Sequence, residues 1–222
     1  MTESAEVGAS KFPRTELRVY LLIEDLQRQF AAYLGTPTRA RGYPPFQGDH
    51  ALIVEVAPAL AIQRVIDLAL KSVPTIEPGI LFVERQFGVL EVHGRDLEDV
   101  RRAGRAILEG VGASPSDQLR PRILYSDVIH DITDQHAVIV NRNRQASMVM
   151  PGETLLVHEV TPALFAAVAA NEAEKVAPEN TLVDVQMIGA AGRLFVAGEA
   201  AAVECAREGI ARVLEAVEGR DD

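Results

Sequence analysis

The feature of this sequence that most constrains its fold is an internal repeat. Residues 52–94 align without a gap with residues 156–198, so that Pro162 matches Pro58 at an offset of 104 positions. Of these 43 aligned positions 13 are identical, whereas ordinary residue frequencies would give about three. The chain of 222 residues is close to a short tail plus twice this offset. The repeat therefore predicts a disordered tail at residues 1–15 and two domains at residues 16–113 and 117–218.

Each repeat shows the same order of local patterns. A short apolar run is followed by an amphipathic helix, by two strands joined by a glycine-bearing turn, and by a second amphipathic helix. The first helices are predicted to begin at Pro58 and Pro162, because proline suits the first helical position, and Thr161 is the predicted N-cap. Gly88 and Gly192 are predicted to supply positive φ angles in the turns.

Further strands are predicted ahead of each unit. Residues 17–24 and 121–129 are apolar and β-branched, and residues 136–140 predict a second short strand in the second copy. Together these patterns predict an α+β fold in which each domain is an antiparallel sheet with helices packed on it.

Composition excludes several classes of function. The 32 acidic and 22 basic side chains give a net charge of −10, which is unsuited to nucleic acid. No apolar run reaches the about 20 residues that span a bilayer, and the N-terminus lacks the apolar stretch of a signal peptide. The single cysteine, Cys205, cannot form an intramolecular disulfide, which fits a cytoplasmic protein. We therefore expect neither nucleic acid nor a membrane as a partner.

No residue pattern indicates catalysis or cofactor binding. The five histidines have no metal-ligand spacing and are predicted to be exposed or hydrogen-bonded. Cys205 is predicted to be a small core residue. The small-residue turn at residues 189–192 lacks the spacing of a phosphate-binding loop. We expect a protein without enzymatic activity, metal or cofactor.

The repeat unit resembles the bacterial microcompartment (BMC) shell domain. In the first copy AIQRVIDLALKSVP leads to VERQFGVLEVHG, and in the second FAAVAANEAEKVAP leads to QMIGAAGRLFVAGE. These stretches are similar to the family's first helix, with Asp or Asn four residues before an edge lysine, and to its pore turn and following strand. Because the strands that end simpler members precede each unit here, the chain resembles the circularly permuted, tandem-domain type with a ferredoxin-like fold.

The resemblance implies a structural and transport role in a microcompartment shell in the cytoplasm. It implies a homotrimer shaped like a hexamer, two of which can stack face to face. It also implies hexameric and pentameric shell proteins as partners, and a gated central pore for metabolites.

The resemblance also assigns roles to particular residues. Lys71 and Lys175 match the edge lysine and imply contacts between neighbouring tiles. Glu84 and Arg85 occupy the pore turn of the first copy and are the expected gate, because paired acid and guanidinium groups around a three-fold axis would close it. The pore-lining residues implied are these two together with Gln86, Ile188, Gly189 and Ala190.

An alternative from another class stays open at the level of sequence. A trimeric ferredoxin-like regulator that binds a small effector between subunits would show the same repeat. A regulator would remain a discrete trimer, whereas a tile would enter sheets with other shell proteins.

Overall fold

The structure, a computed structural model, describes residues 14–36 and 42–222, and residues 1–13 of the predicted tail lie outside that part. Domain 1 contains β1 (Glu16–Ile23), α1 (Arg28–Leu34), β2 (His50–Ala57), α2 (Ile62–Ser72), β3 (Glu77–Glu84), β4 (Phe87–Gly94) and α3 (Leu97–Val111). Domain 2 contains β5 (Arg122–Ile129), α4 (Asp134–Asn143), β6 (Thr154–Thr161), α5 (Phe165–Val176), β7 (Thr181–Gln186), β8 (Gly192–Gly198) and α6 (Ala200–Glu215).

Both domains have the same sheet topology. The strands are antiparallel in the orders β1-β2-β4-β3 and β5-β6-β8-β7. In domain 1, α2 and α3 pack on one sheet face over a buried apolar cluster, with the alternate residues Leu52, Val54 and Val56 pointing into it. The α+β fold with two tandem sheets and packed helices is thus confirmed, whereas the limits at residues 113 and 117 stay a prediction.

The strand predicted at residues 136–140 is wrong, because these residues lie in helix α4. Thr133 accepts the backbone N–H of His136 at 3.3 Å and so caps the helix. Ala137 is buried, whereas Val138 and Ile139 are exposed. An apolar run this short shows neither helical nor strand periodicity, so the sequence pattern does not distinguish the two structures. The Thr133 cap favours the helix.

The first helix of each repeat begins later than predicted. A 3-10 turn at Ala59–Ala61 precedes α2, and α5 begins only at Phe165. The Thr161 hydroxyl donates to the carbonyl of Ala190 at 3.3 Å instead of capping α5, so the predicted N-cap is wrong.

Helix α5 joins the two domains. Its alanine-rich sequence is buried almost all round, because it packs on its own sheet and α6 on one side and on β1 and α1 on the other. Its Glu174 carboxylate accepts the N–H groups of Gln29 at 2.9 Å and Phe30 at 3.1 Å. Its Asn171 side chain accepts the N–H of Gln27 at 2.8 Å. Domain 2 therefore caps the otherwise unsatisfied N-terminus of a domain 1 helix.

One histidine departs from the prediction that all five are exposed or hydrogen-bonded. His158 on β6 is 3% exposed, and neither ring nitrogen has a hydrogen-bond partner among the described residues. Burial lowers the pKa of His158 from 6.5 to about 4. Its equivalent in the other repeat is Val54, a core residue of domain 1.

His158→Val should therefore stabilise the protein and flatten its acid response. The unfolded chain takes up a proton near pH 6.5 and the folded chain only near pH 4, so stability present above pH 6.5 is lost as pH falls to 4. Chemical denaturation at pH 7 and pH 4 should show the wild-type unfolding free energy falling by about 3 kcal/mol more than that of the variant. Substitution of the exposed His130 by valine is the control and should keep the wild-type response. Equal pH dependence in wild type and His158→Val would contradict this account.

Candidate functional site

The turn between β3 and β4 holds the predicted gate positions. Glu84 is the last residue of β3 and its backbone pairs with Phe87, so Arg85 and Gln86 form a two-residue connection. Arg85 is exposed and has φ of 45°, in the left-handed region. That conformation costs a non-glycine residue about 1 kcal/mol or more, and strain of this kind concentrates at functional sites.

The corresponding connection in domain 2 is longer and carries small side chains. Residues 187–191 link β7 to β8. Gly189 has φ of 133°, a backbone angle that residues with a Cβ atom rarely adopt. The hydrogen bond from Thr161 to the carbonyl of Ala190 ties this loop to the end of β6. The two turns that hold the predicted pore residues therefore differ in length and in charge.

The fold brings the two turns together at one cavity. A cavity of about 240 Å³ lies between them. Five of the six predicted pore residues line it, and the side chain of the sixth, Glu84, is not described. The lining residues are Glu55, Arg85, Gln86, Phe87, Val89, Ile188, Gly189 and Ala190.

The prediction from sequence did not include three residues that form the wall of this cavity, Arg18, Glu55 and Phe87. Glu55 on β2 is only 3% exposed and accepts a hydrogen bond from Arg18 Nε at 2.9 Å. The Arg18 guanidinium lies 3.9 Å from the centroid of the Phe87 ring, a cation–π contact that holds both side chains. Burial raises the pKa of Glu55, and the Arg18 contact opposes that rise. The available signal was a glutamate within an apolar strand at the same position in both repeats, Glu55 and Glu159.

Gly88 and Gly192 have a different role from the predicted one. Neither has a positive φ angle. A Cβ atom at Gly88 would lie 2.2 Å from the carbonyl oxygen of Ala59, and one at Gly192 would lie 2.1 Å from that of Ala163. These glycines allow β4 and β8 to approach the segments that precede α2 and α5.

The two predicted edge lysines lie at the ends of equivalent helices. Lys71 is exposed in the last turn of α2, and its Nζ lies 2.9 Å from the Asp67 carboxylate. Lys175 is exposed in the last turn of α5. The residue four positions earlier there is Asn171, which is buried against α1. The matched motif therefore makes different contacts in the two domains.

The two domains differ most in which equivalent surfaces are covered. Leu164, which precedes α5, is fully buried in a core cluster that contains residues of both domains, whereas its equivalent Leu60 is 72% exposed. Tyr33, the sixth residue of α1, is 7% exposed, whereas Ile139, the sixth residue of α4, is 56% exposed. Each of these positions is thus covered in one domain, and its equivalent in the other domain is exposed.

The remaining candidate residues form no catalytic arrangement. Within residues 14–36 and 42–222, no group of histidine, cysteine and carboxylate side chains could hold a metal ion. Over the same part of the chain, no helix is long and apolar enough to cross a membrane. Cys205 is exposed on α6, so the prediction that it is a core residue is wrong.

Comparison with known proteins gives the family and the class of the fold. Residues 17–117 match the family model of the CsoS1D N-terminal domain. The carboxysome shell protein CcmP of Synechococcus elongatus is 42% identical, with 93% of this chain and 95% of that protein covered. The carboxysome shell protein CsoS1D of Prochlorococcus marinus is 39% identical, with 94% and 80% covered.

Solved structures agree with these relatives. The double-ringed trimeric shell protein MSM0271 from the RMM microcompartment is 68% identical, with a TM-score of 0.91 over 94% of this chain and all of that chain. The fused permuted hexameric shell protein MSM0275 from the same compartment is 45% identical, with a TM-score of 0.87 over 93% of this chain and all of that chain.

A fold of two tandem antiparallel sheets with packed helices, together with these relatives, is that of a microcompartment shell protein. The chain belongs to the tandem-domain BMC shell protein family. It is a structural component of a microcompartment shell and not an enzyme, since its relatives are shell proteins. The resemblance seen in the sequence is thereby confirmed.

Proposed function

We propose that three copies of this chain close into a ring of six domains, which tiles a shell facet and carries a gated pore for small metabolites. The observation that carries the ring is the contrast between buried Leu164 and exposed Leu60. A heterologous contact that repeats with rotation closes into a ring. The trimeric description of the relative MSM0271 supports three chains as the number that closes it.

The pore would lie where the cavity-lining turns of three chains meet. A ring of three chains alternates the turn of Arg85 and Gln86 with the loop of Ile188, Gly189 and Ala190. Glu84 and Arg85 are the gate in this proposal: acid and guanidinium groups from neighbouring chains pair in the closed state and separate in the open state. A gate of this kind needs only a few kcal/mol between its two states.

Duplication gives this pore a property that a ring of six identical domains lacks. Six identical domains place the same side chain six times around the axis. Here a charged turn alternates with an apolar, small-residue loop, so the gate groups number three of each sign. When the charged groups separate, the three small-residue loops leave a wider opening than six charged turns would leave.

Lys71 and Lys175 are the proposed contacts with hexameric shell proteins at the edges of the ring, and pentameric shell proteins would close the vertices. Wild-type rings mixed with hexameric shell proteins should enter mixed sheets visible by negative-stain electron microscopy. The double variant Lys71→Ala and Lys175→Ala should form intact rings whose incorporation falls by about tenfold or more, since each ring loses six edge hydrogen-bond donors.

The control removes two cations from the exposed surface of α6, through Arg207→Ala and Arg212→Ala, and should leave incorporation unchanged. Normal incorporation of the lysine variant would reject the edge assignment. Wild-type rings that never join sheets would reject the tile itself and favour the discrete regulatory trimer.

A further inference from the structure

The cavity between the two domains has a counterpart that only two neighbouring chains can form. Its lining combines residues 55, 85–87 and 89 of domain 1 with residues 188–190 of domain 2. Shifted by the repeat offset of 104 positions, this set becomes residues 159, 189–191 and 193 of domain 2 with residues 84–86 of domain 1. In the ring proposed above, residues 84–86 of this second set belong to the next chain. Each pair of neighbouring chains would therefore share one further site beside the pore.

The domain 2 side of this shared site carries an ion pair. Arg193 Nε lies 2.9 Å from a carboxylate oxygen of Glu159, and Arg193 also donates to the Gln186 side-chain oxygen at 3.3 Å. Arg193 on β8 is paired with Glu159 on β6 and with Gln186 on β7, so the three side chains form a row across one face of the sheet. The turn of Arg85 from the next chain would meet this charged row.

The two equivalent glutamates are held differently. Arg18, the partner of Glu55, lies in the bulge of β1 and is fixed by its contact with an aromatic ring. The bulge residue of β5 is Leu124, so Glu159 lacks that partner and pairs with Arg193 instead. The side chains of Arg18 and Glu55 are 15% and 5% exposed, whereas those of Arg193 and Glu159 are 52% and 30% exposed. The pair in domain 2 is therefore accessible to the charges of a neighbouring chain.

A gate with two states of similar free energy needs a counter-charge for its ionic groups in both states. Glu84 and Arg85 pair across the axis in the proposed closed state. Opening that only separated them would leave both charges unpaired near the pore, which is unfavourable where water is restricted. Glu159 and Arg193 supply one charge of each sign beside the turn. All four groups can then be paired in either arrangement, so the difference in free energy stays small.

We propose, building on the gated ring proposed above, that Glu159 and Arg193 are the partners of the gate residues in the open state. In the closed state Glu159 and Arg193 pair with each other, as they do within the single chain. On opening, Arg85 of the next chain pairs with Glu159 and Glu84 of the next chain pairs with Arg193. The exchange draws the gate side chains away from the axis and so widens the pore.

The test replaces both charges by amides in the full chain, through Glu159→Gln with Arg193→Gln. Electron cryomicroscopy of wild-type rings should resolve a closed and an open class, with the Arg85 guanidinium against Glu159 of the next chain in the open class. In the variant the ratio of open to closed rings should fall about threefold or more, because the closed arrangement loses one ion pair and the open arrangement loses two. Intact rings in the same images show that the variant folds and assembles.

The matched control is Glu204→Gln with Arg207→Gln, which removes an exposed ion pair from α6 and should keep the wild-type ratio. An unchanged ratio in the variant of Glu159 and Arg193 would overturn the exchange while leaving the ring and the gate in place. A wild-type open class in which Arg85 contacts other groups would do the same. Wild-type rings with a single pore state would reject the exchange together with the gate, and a wild type without rings would reject the assembly on which both rest.

Discussion

Leu60→Asp is expected to separate the ring into single chains. Leu60 lies in the 3-10 turn that leads into α2, and its equivalent Leu164 is fully buried in the core cluster that contains residues of both domains. If the ring repeats that contact, Leu60 is buried against the next chain, on its α4 and β5. A carboxylate buried there without a partner costs about 3 kcal/mol or more, or about 100-fold in the dissociation constant of each contact.

The measurement is molar mass by light scattering during gel filtration, at about micromolar chain concentration, where contacts weakened by this amount come apart. Ile139→Asp should have the same effect, because Ile139 lies on the opposite side of the same proposed contact. Leu60→Met is the control, since it keeps an apolar side chain of similar volume, and it should keep the ring. Rings that persist in both Asp variants would show that the chains associate through another surface.

Pores that are open in every ring are the expected result of Glu84→Ala combined with Arg85→Ala. The double change removes both charge signs from the proposed gate, so no paired closed state remains, while the ring contacts lie elsewhere. Electron cryomicroscopy of wild-type rings should resolve a closed class, and that class should be absent from the variant.

The control for the gate is an exposed ion pair on a helix of the same chain. Arg207 Nε lies 2.8 Å from a carboxylate oxygen of Glu204 on α6, and neither residue lines the cavity. Glu204→Ala with Arg207→Ala should keep the closed class. A variant lacking Glu84 and Arg85 whose pore is still blocked would reject the gate assignment.

Much of the fold is predictable because the same pattern of apolar and turn residues occurs at equivalent positions in both repeats. Strands β2 and β6, and the turns that contain Arg85 and Gly189, follow from aligned patterns in both copies. The failures occur where a local contact decides the structure. Residues 136–140 became helical because Thr133 caps them. Thr161 lost its predicted capping role because its hydroxyl contacts the loop of the candidate pore.

The candidate site was predictable in its turns but not in its wall. The pore residues are adjacent in sequence, and a turn keeps its neighbours together whatever the rest of the chain does. The wall joins Arg18, Glu55 and Phe87 from three strands, and that pairing depends on strand register. Register emerges only when the sheet is assembled, so the buried carboxylate and its guanidinium partner could not be matched from sequence alone.

The sequence by itself determined the duplication and the antiparallel α+β class, because these depend on periodicity and on identity at a constant offset, and its resemblance to the BMC shell domain indicated the family. Only the tertiary structure decided which equivalent surfaces are covered. Leu60 and Leu164 are the same residue at the same repeat position, yet one is exposed and the other is buried. Burial depends on what packs against a side chain, and a chain with two domains can make only one of the contacts that its two copies encode.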